Sequence, residues 1–359
     1  MRSSPSPLPS PVKGEGTDQT HRMSFDIGID IGGTNIKLGL VDAQGNVVAR
    51  RRLDTRAGLG PKRAMVRLGA AIEELRALRR VRSVGVGVAG LVDHEHGVVR
   101  VPPNLPGWHG FGVKQALEDM TGLPVWCAND ANAVCLGEWL HGAGKGCDNL
   151  FSLTLGTGCG GGAIVHGRLL LGANHAAGEL GHTVIQADGP ECRCGGKGCL
   201  ERFVGAKFII QRAKQAARRQ ARRIKVHRNQ MSFLGDAAHD RLTMLFELAG
   251  PRLSKLDTRL LGVAARKGDR VANEVVEETG YYLGLGIVNV VALLDPERVV
   301  IGGGVSGLGR PLLRSVRKTV LSRGQIFTGR KLDIVFGELG NDAGIVGAAR
   351  LGRWLRRWV

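Results

Sequence analysis

His182 lies shortly before Cys192, Cys194 and Cys199, so one imidazole joins three thiols held in a short glycine-rich segment, Cys192-Arg193-Cys194-Gly195-Gly196-Lys197-Gly198-Cys199. Such a set can converge on a tetrahedral zinc ion. The intervening glycines let the backbone turn tightly around it. Disulfide pairing is the rival reading, but thiols this close in sequence make poor disulfide geometry. Glu179 and Glu201 flank the cluster, and neither is needed as a ligand. A closed structural zinc would hold these two carboxylates and His182 at one place, which makes a scaffold for a substrate site.

A second group of motifs suits phosphate chemistry. Asp30-Ile31-Gly32-Gly33-Thr34-Asn35 ends an apolar run with one carboxylate and a glycine turn. Its N–H groups and the Thr34 hydroxyl can face phosphate oxygens, and Asp30 can hold Mg²⁺ through water. Gly156-Thr157-Gly158-Cys159-Gly160-Gly161-Gly162 repeats the design later in the chain. One such hairpin is a weak signal; two facing each other across a cleft are a strong one. Gly302-Gly303-Gly304 follows a buried run and would let backbone approach an adenine ring, or simply a packed helix. Asn129-Asp130-Ala131-Asn132 offers a carboxylate that can take the proton of an attacking hydroxyl, and either of its first two residues can cap a helix. Asn104, in Pro102-Pro103-Asn104-Leu105-Pro106-Gly107-Trp108, could bind adjacent sugar hydroxyls or serve as a turn residue.

The elements that must carry these motifs alternate between strand and helix. Strands are expected at Phe25–Ile31, Ile36–Val41, Val47–Leu53, Val81–Val88, Val125–Cys127, Asn149–Leu155, Gly161–Val165 and Arg298–Ile301. Helices are expected at Pro61–Arg80, Phe111–Thr121, Ala206–Arg222, Leu242–Leu260 and Asp269–Leu293, with a last one from Ala343. Each half opens with strand, glycine hairpin and strand and then turns helical. The economical architecture is a duplicated α/β unit around a cleft, with the zinc segment inserted in the second half.

The chain has 359 residues, 43% of them apolar, which is enough for two domains with substantial cores. The formal charge of +18 lies largely in Arg212–Arg228 and Arg350–Arg357, read as helices with exposed arginine faces. No recognition helix or aromatic platform accompanies that charge, so nucleic-acid binding is not expected. An anionic substrate such as ATP, or a polyphosphate chain, would profit from it. No membrane span is expected. The cysteine pattern fits a reduced cytoplasm. The Ser- and Pro-rich residues 1–23 are expected to be a disordered extension.

Together these segments resemble the ROK family of sugar kinases and repressors, in the actin/hexokinase-like ATPase superfamily, from about Phe25 to Gly352. The resemblance implies two domains, 24–128 with 343–359 and 129–342, the latter carrying the zinc loop 179–201. It implies phosphate binding by Asp30, Gly32, Gly33 and Thr34 and by Gly156, Thr157, Gly158 and Gly160, with Gly302, Gly303 and Gly304 near the nucleoside. Asp130 matches the family's general base. Gly90, Asn104, Asn129, Glu179, His182 and Glu201 match sugar-binding positions, and His182 also ligates zinc. Gly161 departs from a strict family signature, which has an apolar residue there. The activity implied is ATP- and Mg²⁺-dependent phosphorylation of a hexose, glucose first, by a cytoplasmic homodimer or homotetramer. N-acetylglucosamine, N-acetylmannosamine and fructose kinases are alternatives, as is a sugar-responsive repressor. The repressors carry a helix-turn-helix module, for which the proline-broken segment before Phe25 is too short.

Overall fold

The computed structural model describes residues 24–230, 242–324 and 331–355. The extension 1–23 and the last residues of the basic tail lie outside them. Two five-stranded sheets share one topology. In the first, β1 (Phe25–Ile31), β2 (Asn35–Val41) and β3 (Val47–Asp54) form an antiparallel meander, and β4 (Val81–Val88) and β7 (Val125–Asn129) join β1 in parallel. A two-stranded hairpin, β5 (Leu91–Asp93) and β6 (Val98–Val101), follows β4. In the second sheet β8 (Leu150–Leu155), β9 (Cys159–Val165) and β10 (Arg168–Leu169) repeat the meander, and β11 (Arg298–Gly302) and β12 (Asp333–Phe336) repeat the parallel pair. The duplication expected from the chain's grammar is therefore literal. The Gly32–Thr34 and Gly156–Gly158 turns occupy equivalent places, each joining the first two strands of its sheet.

Helical periodicity explains how the sheets are covered. α1 (Gly60–Arg76) buries Met65, Leu68, Ile72 and Leu75 on one face, packing with α2 (Val113–Thr121) in the core beneath β1 and β4. The larger core gathers α4 (Glu201–Val204), α5 (Ala206–Gln230), α6 (Leu245–Ala249), α7 (Thr258–Arg266), α8 (Arg270–Leu294) and α9 (Arg310–Arg323) around the second sheet. Asp257 and Asp269 cap α7 and α8 by accepting from Leu260 N and Ala272 N. Among the described residues no helix is long and apolar enough to cross a membrane.

Two helices join the halves. α3 (Asp130–His141) packs on β8 and β9, while α10 (Ala343–Ala348) returns to β1, β2 and β4, and the two lie against each other. Gly28 and Gly85 make that return possible. A Cβ at Gly28 would run into the Ile345 carbonyl, and one at Gly85 into the Ala348 carbonyl.

Several elements differ from the sequence reading. The single helix expected over Leu242–Leu260 is broken after α6, where Gly250 takes φ +79° and Leu253 φ +54°; Pro251 supplies no N–H there. α1 stops at Arg76 and α2 starts at Val113. The hairpin β5–β6, α9 and β12 escaped notice, the strands because they are too short to show a period, and α3 was foreseen only as a helix capped at Asn129 or Asp130. α11 (Leu351–Leu355) continues the C-terminal end.

The basic stretches are not simply solvated faces. Arg212 pairs with Glu278 at 3.2 Å and donates to Thr279 at 2.9 Å. Arg350 is 3% exposed and reaches Asp26 at 3.3 Å, His141 Nε2 at 3.1 Å and the Asp42 carbonyl. Burial and the adjacent Arg350 both lower the pKa of His141, so its ring stays neutral and can accept. Gly85→Ala should lower the urea midpoint by the equivalent of about 1–3 kcal/mol, because its methyl meets backbone rather than a movable side chain. An unchanged midpoint would show that α10 shifts freely.

Candidate active site

β7 delivers Asn129 and Asp130 to the space between the glycine turns, and α3 begins there. The Asn129 side chain caps α3, its Oδ1 accepting from Ala131 N at 2.8 Å and Asn132 N at 3.1 Å. Its Nδ2 donates to the Gly90 carbonyl at 3.0 Å and to Asp130 Oδ1 at 3.1 Å. The cap and the carboxylate foreseen for this motif are thus one construction. Asp130 Oδ1 also accepts from Ala131 N at 2.9 Å. Burial, reinforced by the charges of Asp30 and Glu179, raises the Asp130 pKa to about 6.

Asp30 ends β1. Burial raises its pKa, and Lys37 Nζ, 3.6 Å from Oδ2, opposes that rise. Sequence reasoning missed Lys37, although the signal existed: once Gly32–Thr34 is a tight turn, residues 30 and 37 face each other across the β1–β2 ladder. The Gly32 N–H closes this turn on the Asn35 carbonyl at 3.0 Å, and Thr55 Oγ1 donates to the Gly32 carbonyl at 2.6 Å. Asn104 lies on an exposed loop against Gly33, where an added Cβ would come 2.8 Å from Asn104 Cβ. Buried Leu105 and Trp108 anchor that loop.

In the second half the Gly156 N–H closes its turn on the Gly158 carbonyl at 3.0 Å, and Thr157 is exposed at the tip. Gly160, expected in the turn, instead lies within β9. Ala206 N, at the start of α5, donates to the Gly156 carbonyl at 2.9 Å. From there a groove of about 570 Å³ runs between α5 and α7, lined by Lys207, Lys214, Arg218, Leu256 and Thr258 among others. Thr258 Oγ1 donates to the Gly304 carbonyl at 2.7 Å, so Gly302–Gly304 adjoins this groove. Gly303 is also needed for the turn itself, with φ +82° and Leu155 backbone where a side chain would go. Lys207 and Thr258 were not foreseen; nothing in their local sequence distinguishes them.

The zinc segment is folded as a knot beside the Gly156–Gly158 turn. The ligand atoms of His182, Cys192, Cys194 and Cys199 all lie within 4.8 Å of one another. Cys194 and Cys199 sulfurs are 3.6 Å apart, and Cys192 Sγ is 3.8 Å from His182 Nδ1. Zn–S bonds of about 2.3 Å in a tetrahedron put sulfurs about 3.7 Å apart, so the set fits a zinc ion. The Gly196 N–H draws the Cys194 pKa down, which favours a ligating thiolate there, while burial and the neighbouring thiols push the Cys199 thiol up to about 12. Backbone bonds tie the knot at Cys192 N to Gly196 O, 2.8 Å, and Leu200 N to Thr183 O, 3.0 Å.

Glu179 precedes the short helix Leu180–His182, and Glu201 begins α4 directly after the last ligands. Burial raises the Glu179 pKa, with His182 opposing and Glu201 adding to the rise. Glu201 Oε2 accepts from Cys159 N at 3.0 Å, which links the knot to the Gly156–Gly158 turn. Asp130 thus senses the charges of both Asp30 and Glu179, and Glu201 adjoins Glu179. Carboxylates accept hydrogen bonds and, while ionised, cannot donate. Such a set suits a polyhydroxylated ligand whose hydroxyls donate. Above it the halves touch through His94 and His175, whose rings meet edge-on at 4.2 Å, with Asp93 Oδ1 3.9 Å from His175 Nε2.

Comparison with known proteins bears on this geometry. The ROK family model matches residues 26–354. A glucokinase of Thermotoga maritima is 35% identical over 90% of this chain and 96% of its own. A glucokinase of Streptomyces coelicolor is 34% identical over 92% and 98%. The crystal structure of a ROK family glucokinase from Streptomyces griseus, in complex with glucose and AMPPNP, superposes with a TM-score of 0.76 at 32% identity, covering 92% of this chain and 99% of that one.

One zinc per chain is expected in freshly purified, reduced protein by elemental analysis. Cys199→Ser should lose the metal and raise the glucose KM about tenfold or more, the equivalent of 1.4 kcal/mol. Metal-free wild-type protein with normal glucose affinity would refute the scaffold role.

Proposed function

This chain belongs to the ROK family, and on that basis we propose that it transfers the γ-phosphoryl group of ATP to glucose, giving glucose 6-phosphate. The observation that carries the mechanism is Asp130, a half-buried carboxyl held by Asn129 at the start of α3, with a pKa raised to about 6. The two sheets with their helices act as two lobes, 24–128 with the C-terminal helices and 129–342.

Glucose lies between Asn104 and Gly90 on one side and Asn129, Glu179, His182 and Glu201 on the other. Its hydroxyls donate to Glu179 and Glu201, and its primary hydroxyl points at Asp130. The nucleoside occupies the groove beside Gly302–Gly304, and the phosphates reach toward Gly33, Thr34, Thr157 and Gly158. Asp30 would hold the Mg²⁺ of the nucleotide through water, and bound there it would supply neutralising charge to the phosphates. As the sugar oxygen bonds to the γ-phosphorus, the bond from phosphorus to the β–γ bridging oxygen breaks and ADP leaves. The hydroxyl proton passes to Asp130 Oδ. Little other covalent chemistry is required, because phosphoryl transfer depends chiefly on positioning and charge stabilisation. Closure over the sugar excludes water that would otherwise accept the phosphoryl group.

Asp130 works as a base only when ionised. Since burial raises its pKa to about 6, kcat/KM should be flat above that pH and fall about tenfold per unit well below it. Asp130→Asn should cost a factor of about 10²–10⁴ in kcat while glucose binding stays measurable by calorimetry. Near-normal turnover in this variant would remove Asp130 from the mechanism.

Sugar identity is tested by a coupled ADP-release assay. Glucose should give the highest kcat/KM against N-acetylglucosamine, N-acetylmannosamine and fructose. A more efficient amino sugar would leave the kinase chemistry in place and change the substrate.

A further inference from the structure

The chain passes between the two sheets at two places, the segment after α3 leading to β8 and the segment after β12 leading to α10. Both converge on one side chain. Glu138, near the end of α3, is 2% exposed. Its Oε2 accepts from Ala143 N at 3.0 Å, in the first crossing, and from Glu338 N at 3.1 Å, in the second. Its Oε1 accepts from Leu339 N at 3.0 Å. Glycines on both crossings let backbone reach the carboxylate: a Cβ at Gly337 would lie 2.6 Å from Oε1, and one at Gly142 would collide with Oε2. The Ala143 carbonyl accepts from Arg298 of β11 at 2.6 Å, and Trp139 Nε1 donates to the Cys147 carbonyl at 2.7 Å. The segment after α3 is thus tied to the second sheet at Ala143 and back to α3 at Cys147.

Beside Glu138 the helices α3 and α10 touch through backbone. A Cβ at Gly137 would meet Gly347 N at 3.0 Å, and one at Gly347 would strike the Ala133 carbonyl. α3 rests mainly on the second sheet, with a smaller contact to β4 and β7, and α10 rests on the first, so relative motion of the sheets runs along this smooth contact, the β7–α3 junction and the segment before α10. A buried carboxylate with three backbone N–H partners is costly to detach. It therefore stays fixed while the segments around it turn.

We propose that Glu138 is the pivot of cleft closure, and that by clamping the segment before α10 to α3 it sets how the first sheet, with Asp30, meets Asp130. Asp130 heads the same helix, about 12 Å away along its axis. Glu138 touches no substrate; it is a positioning residue. The kinetic part of its test rests on the glucose kinase reading.

Glu138→Gln replaces one acceptor oxygen with an amide group that opposes the N–H donors. Far below its melting temperature the folded variant should lose about tenfold or more in kcat at saturating glucose and ATP. The compaction that wild type shows in solution scattering on adding glucose with Mg-AMPPNP should shrink. The amides of Ala143, Glu338 and Leu339 should exchange faster together. Gly337→Ala attacks the same contact from the other side, and serves if Glu138→Gln does not fold. It should give the same losses, and the double variant should be little worse than either. A folded variant with kcat within twofold of wild type and full compaction overturns the proposal, as do independent, additive losses. Wild-type protein that fails to phosphorylate glucose would instead refute the substrate reading, leaving the exchange experiment to decide the pivot.

Discussion

Everything in the active site depends on where α3 begins. Asn129 ends a strand of the first sheet, caps the helix with its Oδ1 and holds both Gly90 and Asp130 with its Nδ2. That side chain joins the last strand of one sheet to a helix lying on the other, and leaves a carboxylate at the junction. A cap alone contributes about 1 kcal/mol to helix stability. Here it also decides which way the base points, so its importance is geometric more than energetic.

The carboxylates around this junction are expensive to bring together. Burial raises the pKa values of Asp30, Asp130 and Glu179, with the charges of Asp30 and Glu179 adding to the rise at Asp130 and that of Glu201 to the rise at Glu179. That cost is local strain of the kind that active sites retain. Lys37 and His182 offset part of it. A ligand offering hydroxyl donors and a metal-bound phosphate chain would offset the rest, and the sheets would then have reason to close.

The metal knot fits this economy. Its segment has little apolar content between Asp188 and Gly198 and could not hold Glu179 and Glu201 by packing alone. Four ligand groups within bonding reach of one ion replace the missing core. Because Glu201 also binds Cys159 N, the knot fixes the proposed sugar carboxylates and the Gly156–Gly158 turn together.

Much of this was legible in the order of residues. The Cys and His spacing specified a metal cluster, since short spacings with glycines leave few other uses for three thiols. The repeated strand, glycine turn and strand specified a duplicated unit, and Asp130 was visible as a carboxylate in a turn. Other features belong to tertiary structure because they join residues remote in sequence. Lys37 faces Asp30 only once the ladder register exists. Arg350 reads as part of a charged tail until α10 folds back and buries it against Asp26. Glu138 reads as one polar residue in an apolar segment, and its three N–H partners come from positions 143, 338 and 339. Local spacing records which groups can share an ion or a turn. Which buried charge meets which distant backbone is decided only when the two sheets and the helices between them pack.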